Sequence, residues 1–134
     1  MADTNVLVAA AITPRGTCGR LLEAAIEGRW QLVASPQLLA ELGTVLSRDK
    51  FRRWLSDDEA VRFVAGVSVL ADVIPDPPAA SRRQTADPKD EFLIALARGA
   101  DVEALIFGDP DLTGLVDQVP PVLSPAAFLD RLTE

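Results

Sequence analysis

The chain contains no histidine and no tyrosine, and its one cysteine is Cys18. Without imidazole there is no Ser-His-Asp or Cys-His catalysis and no zinc site that depends on histidine. A lone thiol makes no internal disulfide, which suits a reducing cytoplasm. No apolar run is long enough to span a bilayer, and the N-terminus lacks the basic-then-apolar order of a secretion signal. A cytoplasmic protein with no membrane partner is therefore expected. Any catalysis falls to Asp, Glu, Lys, Arg, Ser, Thr or a bound ion. Carboxylates without imidazole or thiolate partners select hard cations, here Mg²⁺ or Mn²⁺.

What is present points to one folded domain. The 134 residues are 49% hydrophobic, enough for a core and too many for a disordered chain. The formal net charge of −7 argues against a non-specific nucleic-acid coat. It leaves a nuclease open, because a metal ion reverses the local field of an acidic site.

Short apolar strands alternate with helical patterns along the chain. Residues 6–12 are apolar and fit either a strand or a short buried helix. Thr17 is placed to cap a helix over 18–27, with Leu21, Leu22, Ala25 and Ile26 as its inner stripe and Gly28 as its stop. Residues 30–34 read as a strand. Ser35-Pro36 opens a helix to about Ser47, and Glu41 sits at the edge of its stripe of Leu38, Leu39, Leu42, Val45 and Leu46. A basic stretch, 48–55, follows. Ser56-Asp57-Asp58-Glu59 is a capping box for a helix to about Ala71, with Val61, Val64, Ala65, Val67 and Leu70 available for burial. Residues 73–74 read as a short strand and 75–86 as a long proline-rich loop. Asp87-Pro88 starts a helix whose residues 92–97 are apolar on every side, as in a helix held between layers. A strand at 104–107 runs into Gly108, where the backbone can turn sharply. A last strand at 120–123 and a helix over 126–132 close the chain. The alternation implies a parallel sheet with helices on both faces.

Acidic residues collect where such a sheet binds ligands, beyond the carboxyl ends of its strands. Asp109 and Asp111 follow the strand at 104–107. Asp3 adjoins a possible strand end. Asp87, Asp90 and Glu91 share one side of a helix first turn. Each has an ordinary structural explanation: a helix cap, a turn residue, a solvated helix position or a fraying terminus. Their joint occurrence near strand ends is harder to explain that way.

The order of these motifs resembles the PIN-domain family. Asp3-Thr4-Asn5 comes first, then Ser35-Pro36-x-Leu38-Leu39-x-Glu41-Leu42, then Asp87-Pro88-Lys89-Asp90, then Gly108-Asp109-x-Asp111-Leu112. Within that family it is most similar to the VapC-like toxins of prokaryotic toxin–antitoxin systems. The resemblance runs almost the whole length, to Leu123-Ser124-Pro125-Ala126-Ala127-Phe128-Leu129. It implies an α/β fold, a three-layer α/β/α sandwich around a central, mostly parallel sheet, in a single domain over 1–134. It implies a metal-dependent endoribonuclease with Asp3, Glu41, Asp90 and Asp109 as catalytic residues. Asp3, Asp90 and Asp109 would be ligands of Mg²⁺ or Mn²⁺, with Asn5, Asp87, Glu91 and Asp111 as supporting or alternate groups. Two features depart from the family: only Met1 and Ala2 precede Asp3, and Phe107 stands where many members carry Ser or Thr.

RNA is then the expected substrate, and a cognate antitoxin and a second copy of the chain are the expected partners. Arg48, Lys50, Arg52 and Arg53 are the first candidates for RNA phosphates, and Arg82 and Arg83 the second. The competing function is a catalytically weakened PIN-like module that only binds protein. A phosphotransfer receiver domain also gathers acids at strand ends, but it wants a late lysine, and none follows Lys89.

Overall fold

The structure, a computed structural model, describes residues 1–77, 88–108 and 121–133. Its elements in chain order are α1 (Thr4–Ile12), α2 (Thr17–Ile26), β1 (Val33–Ala34), α3 (Pro36–Leu46), a 3₁₀ turn (Asp49–Phe51), α4 (Asp57–Leu70), β2 (Asp72–Val73), α5 (Pro88–Gly99), β3 (Leu105–Ile106), β4 (Val122–Leu123) and α6 (Pro125–Thr133). Helices and parallel strands are thus mixed as expected. The described strands form two separate two-stranded sheets, β1 with β2 and β3 with β4, and not one continuous sheet. Each strand is short because a helix start or bend follows at once: Ser35-Pro36 after β1 and Gly108 soon after β3.

β3 is hydrogen-bonded along both edges. On one side Leu105 and Phe107 donate to the carbonyls of Pro121 and Leu123, at 2.9 and 3.0 Å. On the other, Ala2 forms a parallel bridge with Ile106. Here Ile106 donates to the Met1 carbonyl at 2.8 Å, Asp3 donates to the Ile106 carbonyl at 3.0 Å, and the Met1 ammonium donates to the Ala104 carbonyl at 3.2 Å. Met1, Ala2 and Asp3 therefore suffice to tie this segment to β3.

Residues 6–12 belong to a helix. The carboxylate of Asp3 caps α1 by accepting from the Val6 N–H at 2.9 Å, and six of its nine residues are buried, so its β-branched valines pack on several sides. Side-chain capping alone could not reveal the start of α2: Gly16, not Thr17, precedes the first turn, without a side-chain bond. The inner face of α2 is Leu21, Ala24 and Ala25. Ile26, expected inside, is 67% exposed. It shares a side with Gly19, where a Cβ would collide with the Pro14 backbone at the first turn, but is itself left in solvent a turn beyond that contact. Gly28, with φ of 81°, ends the helix as expected.

α3 buries Leu38, Leu42 and Leu46, one per turn, with Leu39 and Val45 packed at the margin. The Ser35 hydroxyl accepts from the Leu38 N–H at 3.3 Å. The capping box of α4 forms in both directions between Ser56 and Glu59, each bond 3.1 Å. The Ser56 N–H, donating to the Glu59 carboxyl, together with the Ser56 side chain holds that carboxyl below its usual range. The buried stripe of α4 is Ala60 and Val67, flanked by Phe63 and Val64. Val61 and Ala65, expected inside, are exposed, since α4 packs chiefly on α3 and turns a single narrow face inward. In α5 all of residues 92–97 are buried, as a helix held between layers requires. α6 lies against α2, with Phe128 edge-on to Trp30 at 5.2 Å between ring centroids.

Met1 is 4% exposed, and burial lowers the pKa of its ammonium from 8.0 to about 6. Above pH 8 neither folded nor unfolded amine binds a proton. Between pH 8 and 6 the unfolded amine takes one that the folded amine does not, so stability falls as pH falls through that window. Below it both are charged and the penalty is constant. For the chain starting at Met1, the unfolding free energy should drop by about 2 kcal/mol from pH 8.5 to 5.5 in urea titrations. An N-acetylated chain should lack this component.

Candidate functional site

Asp3 stands at the junction of three constraints. Its N–H is bound to Ile106 in β3, its carboxylate caps α1, and it is 7% exposed. The positive end of the α1 dipole favours a negative charge there. A carboxylate is thus held, buried, at the carboxyl end of β3. Thr4 is buried beside it, while Asn5 is exposed in the first turn of α1.

Phe107 lies just past β3 and is 2% exposed within a core cluster with Met1, Phe92, Leu93 and Leu105. The ring replaces a hydroxyl with packing. Gly108 bends the chain as expected, but without positive φ, and among the described residues nothing lies within 4 Å of where a Cβ would stand.

Glu41 is half-buried on α3, next to Leu42, which packs in one cluster with Val6 and Leu7 of α1. α3 contacts α1 directly, so Asp3 and Glu41 belong to neighbouring helices. Asp90 and Glu91 fall in the first turn of α5, and their side chains lie outside what is described. Asp87, Asp109, Asp111, Arg82 and Arg83 lie outside the described residues. Among the described residues no three acids or thiols gather to hold a metal ion.

Sequence reasoning did not place Cys18 beside Asp3. Burial raises its thiol pKa above the ordinary 9.0, and the negative charge of Asp3 adds to the shift. The thiol thus sits within the field of the buried carboxylate, on the helix that packs most heavily against α1. Only tertiary packing brings residues 3 and 18 together.

The basic stretch divides in two. Arg48, Lys50 and Arg53 are exposed. Arg52 is not available in the same way: its guanidinium donates to the Leu46 carbonyl at the end of α3 and pairs with Asp57 at 2.6 Å at the start of α4. Its Nε–H is buried without an acceptor among the described residues. Arg52 therefore clamps two helix ends, and its expected role at RNA phosphates is the weakest of the four.

A family model, PIN domain, matches residues 1–111. The chain belongs to the PIN-domain family. An uncharacterized protein of Methanocaldococcus jannaschii is 28% identical over 116 residues, covering 87% of this chain and 74% of that protein. No solved structure matches significantly. The PIN domain is typically a nuclease fold acting on nucleic acid, and its members usually bind divalent metals. In this PIN chain a cavity of about 530 Å³ lined by Met1, Trp30, Glu103 and Phe128 opens by the amino ends of β1 and β3. It lies at the opposite end of β3 from Asp3. No helix of the described residues is long and apolar enough to cross a membrane.

Two outcomes test this geometry. Arg52→Ala should lower stability by about 1–3 kcal/mol in urea melts, since it leaves a helix-end carbonyl without its charged donor. Asp3→Asn should speed alkylation of Cys18 by iodoacetamide at pH 8, because asparagine still caps α1 but no longer opposes the thiolate. An unchanged rate would place Asp3 away from the thiol.

Proposed function

We propose that this PIN domain, spanning 1–134 and completed as a three-layer α/β/α sandwich, is a metal-dependent endoribonuclease. The supporting observation is the buried Asp3 carboxylate at the carboxyl end of β3, because Gly108 and then Asp109 follow that strand in the chain. Asp3, Asp90 and Asp109 are the proposed metal ligands, with Glu41 as the fourth catalytic acid. Asn5, Asp87, Glu91 and Asp111 would support them. These donors are hard oxygens without imidazole, which fits Mg²⁺ or Mn²⁺. When bound, such an ion lowers the pKa of its water and offsets charge on the phosphodiester.

The chain's own groups have definite tasks in this reading. Asp3 is oriented by the Val6 N–H and by the backbone bond to Ile106, so little reorganisation is needed when a cation arrives. Phe107, buried behind the site, fixes the end of β3 without offering a hydroxyl. Arg48, Lys50 and Arg53 are the proposed phosphate contacts, with Arg82 and Arg83 as a second set. They would offset repulsion between RNA and a chain of net charge −7.

The proposed setting is that of a cytoplasmic toxin neutralised by a cognate antitoxin and acting as a homodimer. The exposed apolar stripe of Val61, Ala65 and Val69 on α4 supports a protein partner, since these residues recur every fourth position and remain in solvent.

Purified protein should cut RNA in Mn²⁺ or Mg²⁺ and stop on addition of EDTA. Asp3→Asn should abolish cutting while keeping the cap of α1; Asp3→Ala is a poorer probe, because losing the cap alone costs about 1 kcal/mol. Thermal melts should rise with Mn²⁺ in the parent chain and not in Asp109→Asn. Protein that takes up metal yet cuts no RNA in a broad panel would instead support the protein-binding module.

A further inference from the structure

The turn between α3 and α4 has the composition of a nucleic-acid contact and a rigid mounting. Residues 48–54 contain four cations, one acid and two aromatic rings. Leu55, 8% exposed, and Phe51 pack into the core cluster below. Arg52 ties the turn to the last carbonyl of one helix and the first acid of the next. The backbone is closed on itself by bonds from Trp54 and Leu55 to the Phe51 carbonyl, both 3.0 Å. These anchors leave Trp54 pointing outward, 52% exposed.

The Arg53 guanidinium lies over the Trp54 ring, 4.8 Å from its centroid, and the Lys50 ammonium lies 5.0 Å from the centre of Phe51. A large aromatic surface is thus held in solvent beside cations, on a turn tied to both flanking helices. Nucleobases stack on such rings without regard to sequence, and neighbouring cations take the phosphates. An apolar protein surface would bury Trp54 but would have to desolvate Arg53, Arg48 and Lys50 as well, which disfavours it.

We propose that residues 48–55 form a stacking platform for an unpaired RNA nucleotide, with the base on Trp54 and the flanking phosphates on Arg53, Lys50 and Arg48. This deepens the ribonuclease reading and rests on it for the choice of RNA. It assigns the chain a preference for single-stranded over fully paired RNA, because a base within a duplex offers no free face.

The test uses the full chain in EDTA, where RNA stays intact, with an oligoadenylate of about 12 nucleotides and a duplex of equal length. Trp54→Ala should weaken binding of the single strand roughly tenfold or more, Trp54→Phe should retain most of it, and duplex binding should not depend on residue 54. Equal single-strand affinity of the parent chain and Trp54→Ala would overturn the proposal, as would a parent chain that binds no RNA. A change in self-association in Trp54→Ala with RNA affinity unchanged would also overturn it, by assigning the ring to a second copy. Cleavage in Mn²⁺ separates the two readings. RNA bound through Trp54 but never cut leaves the platform standing and removes the nuclease. RNA cut with the same KM by Trp54→Ala does the reverse.

Discussion

The parallel pairing of Met1, Ala2 and Asp3 with β3 is the contact on which the candidate site depends. It contributes three backbone bonds over three residues, and it delivers Asp3 to the carboxyl end of the strand with its side chain already committed to the start of α1. A helix cap and a functional acid are usually alternative explanations of an aspartate. In the proposed reading they coincide, because the helix begins where the strand ends. The same carboxylate therefore contributes to stability, and its removal by alanine would confound any measurement of chemistry.

The pairing also explains why so short a first strand is enough. Ala2 is 1% exposed and packs with Val6, Leu7 and Ile106, while Met1 joins Phe107 and the buried face of α5. The two core clusters meet across this segment. Hydrophobic burial on both sides compensates for the few hydrogen bonds, at the cost of desolvating the Met1 ammonium.

Charge is organised with a similar economy. An acidic chain keeps Arg48, Lys50 and Arg53 exposed at one turn, while Arg52 beside them serves the fold by joining α3 to α4. That clamp presents its neighbours Arg53 and Trp54 on a fixed backbone. Sequence proximity alone would have treated all four cations alike; burial and hydrogen bonding separate the structural arginine from the exposed ones.

Much of the local structure was legible in the sequence, because it is determined by contacts within a few residues. Ser35-Pro36 and Ser56 to Glu59 are caps whose donors and acceptors lie within one turn, and the apolar run 92–97 has no polar face to expose. The order of acidic motifs likewise identified the PIN family, since residue identity and spacing are all that such motifs contain. Tertiary structure decided the rest. Residues 6–12 satisfy strand and helix patterns equally until Asp3 is placed to cap them. On α4, Val64 and Val67 face the core as expected, joined by Ala60 and Phe63, while Val61 and Ala65 stay in solvent, because a helix packed chiefly on one neighbour buries the stripe that neighbour selects. The nearness of Cys18 to Asp3 and the capture of Arg52 by Leu46 and Asp57 depend on where the chain returns in space, which no local pattern encodes.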